Sequence, residues 1–313
     1  MKDFLLPISI PISEKKISHQ DQIILLGSCF SDEMSAYFKR GAFQEFSNPF
    51  GTIFHPYCIA NQIIDSISLN KKVRSVKRND LFFNYESGGK LFAKSEEELI
   101  SLILDKRDDL HDQLKKGTHL FITFGSAFAY RLHADGKLVA NCHKQKTDLF
   151  TKELSDTNEI IKHWKLCLDL LKSINPNICI HFTVSPVRHS KEGLPENNRS
   201  KGRLIDIAHQ LVDYSKGKYF PSYEIMMDHL RDYRFYKQDR IHPNEEALDY
   251  IWEQIQASYF SPESIMLLSK ISAYQKAKAH QFFYPESEEA QTHREKLATL
   301  KEQIVREVPT FQF

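Results

Sequence analysis

The sequence predicts an α/β protein with a central parallel sheet, followed by a C-terminal helical hairpin. Three short apolar runs, at residues 23–26, 120–124 and 178–184, carry this prediction. Continuous runs of this kind are typical of strands buried on both faces. Helical periodicity fills segments between them, and strands that alternate with helices indicate a parallel sheet with right-handed crossovers.

The first strand ends at Gly27, and a helix is predicted over residues 31–40 with Asp32 and Glu33 in its first turn. Residues 48–56 are predicted to form an ordered loop rich in proline, glycine and aromatic side chains. Residues 81–93 resemble a hairpin that turns at Gly88-Gly89. A basic cluster at residues 71–78 precedes it, and we predict a solvated loop there. Ser95 and Glu98 form a capping box that opens a helix to about residue 114.

The second half continues the alternation as far as residue 261. Helices are predicted around residues 160–171 and 203–214, and a fourth strand at residues 219–226. Pro243 is well placed as the first residue of another helix, with His242 as its cap.

Two further helices, over residues 262–280 and 286–307, are predicted to form the hairpin. Its apolar stripe of Ile265, Leu268 and Ile271 predicts packing either on the α/β body or on a second subunit, and the second case would give a homo-oligomer. We therefore divide the chain into an α/β domain at 1–260 and a helical extension at 261–313.

Composition limits the function classes. The 313 residues are 41% hydrophobic and carry 42 basic against 41 acidic side chains, so the chain can bury a core and has little net charge. This balance argues against a nucleic-acid binder. No apolar run is long enough to span a membrane, and Pro7 and Pro11 interrupt the apolar N-terminal stretch, which we do not interpret as a signal peptide. Five scattered cysteines without a CxxC pair favour the reducing cytoplasm.

Ligands of open parallel sheets bind outside the carboxyl ends of the strands, and Cys29 lies at the end of the first. A helix N-terminus at that location lowers a thiol pKa, which predicts a partly ionised, nucleophilic Cys29 near neutral pH. A buried and inert cysteine is the alternative.

Asp239 and His242 stand three residues apart in a loop that leads into a helix. This spacing lets the carboxylate orient the imidazole, as in the base and acid of a catalytic triad.

With these residues in view, the chain resembles the GSCFA-domain family, whose name-giving motif appears here as Gly27-Ser28-Cys29-Phe30-Ser31. That family is similar in turn to the SGNH/GDSL hydrolases, which implies a three-layer α/β/α fold with its nucleophile after the first strand. The resemblance covers about residues 20–260. Besides the Asp239/His242 pair, the segments that carry it are Asn48-Pro49-Phe50-Gly51, Gly125-Ser126-Ala127-Phe128, Ala140-Asn141-Cys142-His143-Lys144 and Ser185-Pro186-Val187-Arg188.

The resemblance implies a cysteine nucleophile, Cys29, where the SGNH/GDSL relatives use serine, with Ser28 as the rival. It also implies an oxyanion hole. Gly51 is the candidate glycine donor, with an ordinary turn glycine as the alternative. Gly125 and Ser126, after the second strand, are further candidates for oxyanion or substrate binding. The usual Gly-x-Asn-Asp is absent there, so Asn141 is the candidate replacement for its asparagine, with a turn-forming asparagine as the alternative.

Two further side chains are candidates for the substrate side of this site. His143 follows Asn141 closely and is a candidate second histidine, with a surface loop residue as the alternative. Arg188 is a candidate for contact with an anionic substrate group, with a solvated arginine as the alternative. Cys142 and His143 lack the further ligands of a metal site, so we predict neither metal nor cofactor.

The leading hypothesis is a hydrolase or acyltransferase of acyl esters, sugar esters included. Its competitor is a binding module on a hydrolase scaffold, because fold does not fix function. A nucleotide-binding protein is set aside, since neither GxGxxG nor GxxxxGK[ST] occurs.

Overall fold

A computed structural model describes residues 7–309 of the chain. The outer ends of the two predicted domains, and the first six residues of the N-terminal apolar stretch, lie outside this range. The described part is an α/β protein with a five-stranded parallel sheet in the order β11-β10-β6-β1-β2. Its strands are β1 (Gln22–Gly27), β2 (Gln44–Ser47), β6 (His119–Phe124), β10 (Cys179–Val184) and β11 (Lys218–Phe220).

The three predicted apolar runs form the middle of this sheet, as expected. In β1, the side chains of Ile24 and Leu26 pack into one core cluster and those of Ile23 and Leu25 into another. This alternation buries both faces of the strand, because successive side chains point to opposite sides.

Helices cover both faces of the sheet. The larger core cluster receives side chains from α2 (Pro56–Ile67), α3 (Glu96–Lys116), α4 (Thr157–Ile174) and α5 (Leu194–Ser215). The other receives side chains from α1 (Cys29–Arg40) and α7 (Glu245–Tyr259). Counting the short α6 (Ser222–Glu224) and the last two helices, α8 (Pro262–Ala279) and α9 (Glu288–Glu307), residues 7–309 contain nine α-helices.

Two small antiparallel sheets interrupt the alternation. The first joins β3 (Ser75–Arg78), β4 (Leu81–Asn84) and β5 (Phe92–Ala93), so the predicted hairpin is confirmed. The second joins β7 (Phe128–Leu132), β8 (Leu138–Val139) and β9 (Phe150–Leu154). The basic cluster is not a free loop: its last residues lie in β3, and Arg74 forms ion pairs with Glu86 and Asp135.

Two predicted elements are corrected. The fourth strand ends at Phe220 instead of Met226, because the chain turns into α6 and a π-helical segment, Ile225–His229. The last sheet-packing helix is capped by Asn244, whose side chain accepts the N–H of Ala247 at 3.0 Å. His242 is therefore not a cap.

The C-terminal hairpin packs on the α/β body beside the end of α1. Leu267, Ile271 and Ile304 form a buried cluster with Ala42, and Gln275 donates a hydrogen bond to Arg40 O at 3.0 Å. The predicted stripe is confirmed in part: Ile271 is buried and Leu268 packs against the core cluster that contains α1 and α7, but Ile265 is exposed. Neither α8 nor α9, nor any other helix within residues 7–309, has the length and apolar character needed to span a lipid bilayer.

Candidate active site

The carboxyl ends of the parallel strands bring the predicted site segments to one edge of the sheet. Gly27 at the end of β1 pairs with Thr123 in β6, which pairs in turn with Thr183 in β10. The residues that follow these three strands therefore emerge side by side, as expected for the ligand-binding edge of an open α/β sheet.

The turn from β1 into α1 requires a glycine. Gly27 has a φ of +133°, and a Cβ atom there would lie 2.2 Å from Thr123 O. Its N–H donates to Asn48 Oδ1 at 2.8 Å, which fixes the Asn48–Gly51 loop beside the turn. Ser28 is fully buried and caps α1, accepting the N–H of Phe30 at 3.4 Å. Cys29 is the first residue of α1 and is partly exposed.

The thiol of Cys29 does not have the lowered pKa predicted from its position. Burial raises the pKa of Cys29, and the carboxylates of Asp32 and Glu33 raise it further. The ammonium of Lys201 and the N–H of Cys29 itself act in the opposite direction but do not outweigh burial. The prediction of a partly ionised thiol near neutral pH is therefore wrong, because desolvation exceeds the effect of the helix terminus.

Lys201 is a site residue that the sequence interpretation missed. It extends from α5, is 1% exposed, and donates to Gly125 O at 2.9 Å and to Ser185 O at 2.7 Å. Burial lowers its pKa to about 7, while interaction with Cys29 raises it. A signal was present, because Lys201 falls at helical spacing with Leu204 on the apolar face of α5.

Asp239 and His242 form the predicted pair. His242 Nδ1 lies 2.7 Å from Asp239 Oδ2, and the N–H groups of Ile241 and His242 donate to Asp239 Oδ1 at 2.9 and 3.0 Å. These backbone bonds, followed by the imidazole, lower the pKa of the Asp239 carboxyl. Within the described chain, His242 Nε2 makes no hydrogen bond, so this nitrogen is available to a reacting group.

The loop that carries this pair contacts the same sheet edge as Cys29. Arg188, after β10, donates its N–H to Ile241 O at 3.4 Å and stacks its guanidinium over Tyr236 at 4.4 Å from the ring centroid. On the other side, Lys237 forms a 3.3 Å ion pair with Glu33 in α1. No hydrogen bond joins Cys29 to His242 in residues 7–309, and catalytic contacts are often loose without substrate. Arg188 holds this loop, and its contact with substrate stays a prediction.

Several predicted oxyanion donors have acceptors inside the protein. Gly51, with a φ of +77°, donates its N–H to Asn48 O at 2.8 Å. The N–H groups of Gly125 and Ser126 both donate to Phe54 O, at 2.8 and 3.0 Å.

Asn141 and His143 belong to a neighbouring loop. Asn141 Oδ1 accepts the His143 N–H at 2.7 Å, and its Nδ2 lies beside Gly89, where an added Cβ would be 3.3 Å away. Gly88 in the same turn packs against Gly51, which brings the two candidate donors to one region. His143 is buried against Phe83, with Nε2 at 2.7 Å from Asn84 O. The roles of Asn141 as an oxyanion donor and of His143 as a second site histidine stay predictions.

A cavity of about 130 Å³ lies at this edge. Ser126 lines it, together with Phe54, His55, Lys152, His189 and Glu192. Cys29 does not line the cavity. The charge of Lys201 acts both on Cys29 and on His189, which lines the cavity. In residues 7–309, Cys142 and His143 belong to no group of three metal-ligating side chains; His119, Cys179 and His181 form one such group at the opposite edge.

A comparison with known protein families identifies the family of this chain. The GSCFA family model matches residues 22–255, which is most of the chain. The chain belongs to the GSCFA family. The matched region begins with β1 and ends in α7, so it contains the turn at Cys29 and the Asp239/His242 pair. A search of curated proteins finds no match to this GSCFA chain.

Proposed function

We propose that this GSCFA protein is a hydrolase or acyltransferase of acyl esters, with Cys29 as nucleophile, His242 as base and Asp239 as the residue that orients His242. One observation carries the proposal. The imidazole of His242 is held by Asp239 at 2.7 Å, and Nε2 has no partner among residues 7–309, in a loop joined to α1 and to the segment after β10. This is the base-and-orienter arrangement of a triad.

The proposed reaction has two acyl transfers. Cys29 Sγ attacks the ester carbonyl while His242 Nε2 takes the thiol proton, and the alkoxide leaves with that proton, forming a thioester. Water or an acceptor hydroxyl then attacks the thioester, gives its proton to His242, and displaces the Cys29 thiolate, which takes that proton back from His242. Because the pKa of Cys29 is raised, the base removes the proton during attack. The ammonium form of Lys201 favours the thiolate.

The burial of Ser28 supports Cys29 as the nucleophile. Ser28 is inaccessible and its hydroxyl caps α1, whereas Cys29 is partly exposed. The N–H of Cys29 has no acceptor on another residue within the described chain, and we propose it as an oxyanion donor with Asn141 Nδ2.

Helices on both sheet faces, with a nucleophile after the first strand, also support an SGNH/GDSL-like layering. The free state of all five cysteines supports a cytoplasmic location.

The alternative is a non-catalytic binding module on this scaffold. Two observations favour it: the raised pKa of Cys29, and the internal hydrogen bonds of the N–H groups of Gly51, Gly125 and Ser126. In this alternative, the cavity beside Ser126 binds a small ligand without chemistry.

Stopped-flow acylation with p-nitrophenyl acetate tests the proposal. The unmodified chain should release a burst of nitrophenolate, one per active chain, and Cys29→Ala should abolish it. Cys142→Ala is the matched control, because Cys142 is also partly exposed and should retain the burst. Loss in Ser28→Ala with retention in Cys29→Ala moves the nucleophile by one residue. A burst that survives both substitutions refutes the proposed chemistry.

A further inference from the structure

A second cluster of reactive side chains lies at the opposite edge of the sheet. Among residues 7–309, His119, Cys179 and His181 form a group whose possible ligand atoms all lie within 4.8 Å of one another. His119 and Cys179 are the first residues of β6 and β10, and the strand register pairs them. His181 follows Cys179 by two positions, so the three side chains share one face of the sheet.

The two histidines are not a satisfied structural pair. His119 Nδ1 and His181 Nε2 lie 3.0 Å apart, and both rings are fully buried. In the described part of the chain, His119 Nε2 and His181 Nδ1 are buried without any hydrogen-bond partner. Each unsatisfied buried polar group costs about 1–3 kcal/mol. The ring nitrogens whose separation suits an ion are the other two, His119 Nδ1 and His181 Nε2, which already face each other across the strand pair.

The geometry points to a metal ion. We propose that His119, Cys179 and His181 bind a thiophilic d¹⁰ cation, either Cu⁺ or Zn²⁺. Two imidazole nitrogens on a tetrahedral zinc are about 3.3 Å apart, close to the separation of the histidine pair. Thiolate and imidazole are ligands that both ions accept, and three protein ligands complete a trigonal Cu⁺ site, whereas Zn²⁺ needs a solvent molecule as fourth ligand.

The surroundings fit a small, partly enclosed ion site. Phe121 stacks on His181 with ring centroids 4.3 Å apart, and Tyr259 lies on the same ring at 4.8 Å. Cys179 is only partly buried, which leaves an entry path for the ion.

The charges around the site favour the monovalent ion. Asp21 acts electrostatically on His119, and Lys15 and Lys218 act on Cys179. Two of these three charges are positive, so Cu⁺ adds less repulsion than Zn²⁺ does. Either ion would tie the start of β6 to that of β10, and this site is independent of the proposed esterase chemistry.

Metal titration of the full chain tests this proposal. Metal-free protein is titrated with Cu⁺ against a Cu⁺ chelator under anaerobic reducing conditions, and separately with Zn²⁺ against a zinc indicator, with bound metal measured by mass spectrometry. One ion per chain is expected, and Cys179→Ser should weaken binding at least about tenfold. Cys142→Ser, a partly exposed cysteine outside the cluster, should bind as the unmodified chain does.

The outcomes are separable. Binding of only Cu⁺ or only Zn²⁺, lost in Cys179→Ser, identifies the ion. Absence of both, or binding that Cys179→Ser retains, overturns the proposal. If Cys179→Ser fails to fold by circular dichroism, alkylation of the unmodified chain replaces it: the metal should protect Cys179 and not Cys142. Equal labelling with and without metal then overturns the site.

Discussion

Replacement of the buried Lys201 should change how the stability of the protein depends on pH. Burial lowers the pKa of Lys201 from the ordinary 10.5 to about 7. Between these values the unfolded chain binds a proton that the folded chain has released, so the free energy of unfolding rises with pH. Between about pH 6.5 and pH 8.5, Lys201 should contribute a rise of about 2 kcal/mol. Lys201→Met should lack this rise.

Urea unfolding at several pH values measures the effect. Lys201→Met also leaves Gly125 O and Ser185 O without their donor, but that cost does not depend on pH. The raised pKa of Cys29 acts with the opposite sign, lowering stability as pH rises, at pH values above this window. Lys172→Met, on the exposed side of α4, controls for the loss of one positive charge. If the unmodified chain and Lys201→Met gain equally with pH, the assignment of Lys201 as a depressed, buried amine is refuted.

Three further substitutions test other parts of the account. Gly27→Ala should lower the free energy of unfolding by about 3 kcal/mol or more, because the added Cβ would collide with Thr123 O. Gly202→Ala, with open space around it, should raise the free energy of unfolding by up to about 1 kcal/mol. Equal urea midpoints for the two variants would contradict this. Asp239→Asn should reduce esterase kcat by up to about 10⁴-fold with an unchanged melting temperature, and undiminished kcat would remove Asp239 from the mechanism. Truncation at Ser261 should lower the melting temperature or change the mass in solution, because it exposes Ala42; no change in either would show that the hairpin is dispensable.

Sequence patterns predicted well the strands that are buried on both faces and the helix that has one clear apolar face. The strands β1, β6 and β10 are continuous apolar runs, and α4 has a clear apolar stripe. The edge strand β2 was missed because Gln44–Ser47 is short, polar and only half-buried. The helix α2 was missed although Pro56 at its start, with Ile59 and Ile63 at helical spacing, was a readable signal.

The site was predictable where its residues are close in sequence. The Asp239–His242 hydrogen bond followed from a spacing of three, and local geometry accounts for it. Lys201 was missed because the helix was predicted to begin two residues after it. The pKa of Cys29 was predicted with the wrong sign, because the sequence shows the helix terminus but not the depth of burial.

Residues that are distant in sequence can be predicted as neighbours only when the register of the strands is known. His119 and Cys179 are separated by 60 positions in the chain and become neighbours only because β6 pairs with β10. Nothing in the local sequence of either strand marks the pair, since a single histidine at a strand start is ordinary. The oxyanion candidates pose the same difficulty, because Gly51 and Asn141 meet through the turn at Gly88-Gly89.

Trapping of the acyl-enzyme tests the central claim most directly. The full chain is quenched in acid during the burst with an activated ester, digested, and its peptides are analysed by mass spectrometry. We expect one acyl group on the peptide that contains Cys29, released by neutral hydroxylamine as a thioester would be, and no such adduct in Cys29→Ala. An acyl group on Ser28 that resists neutral hydroxylamine, or no adduct on this peptide during an observed burst, would contradict the assignment of Cys29 as the nucleophile.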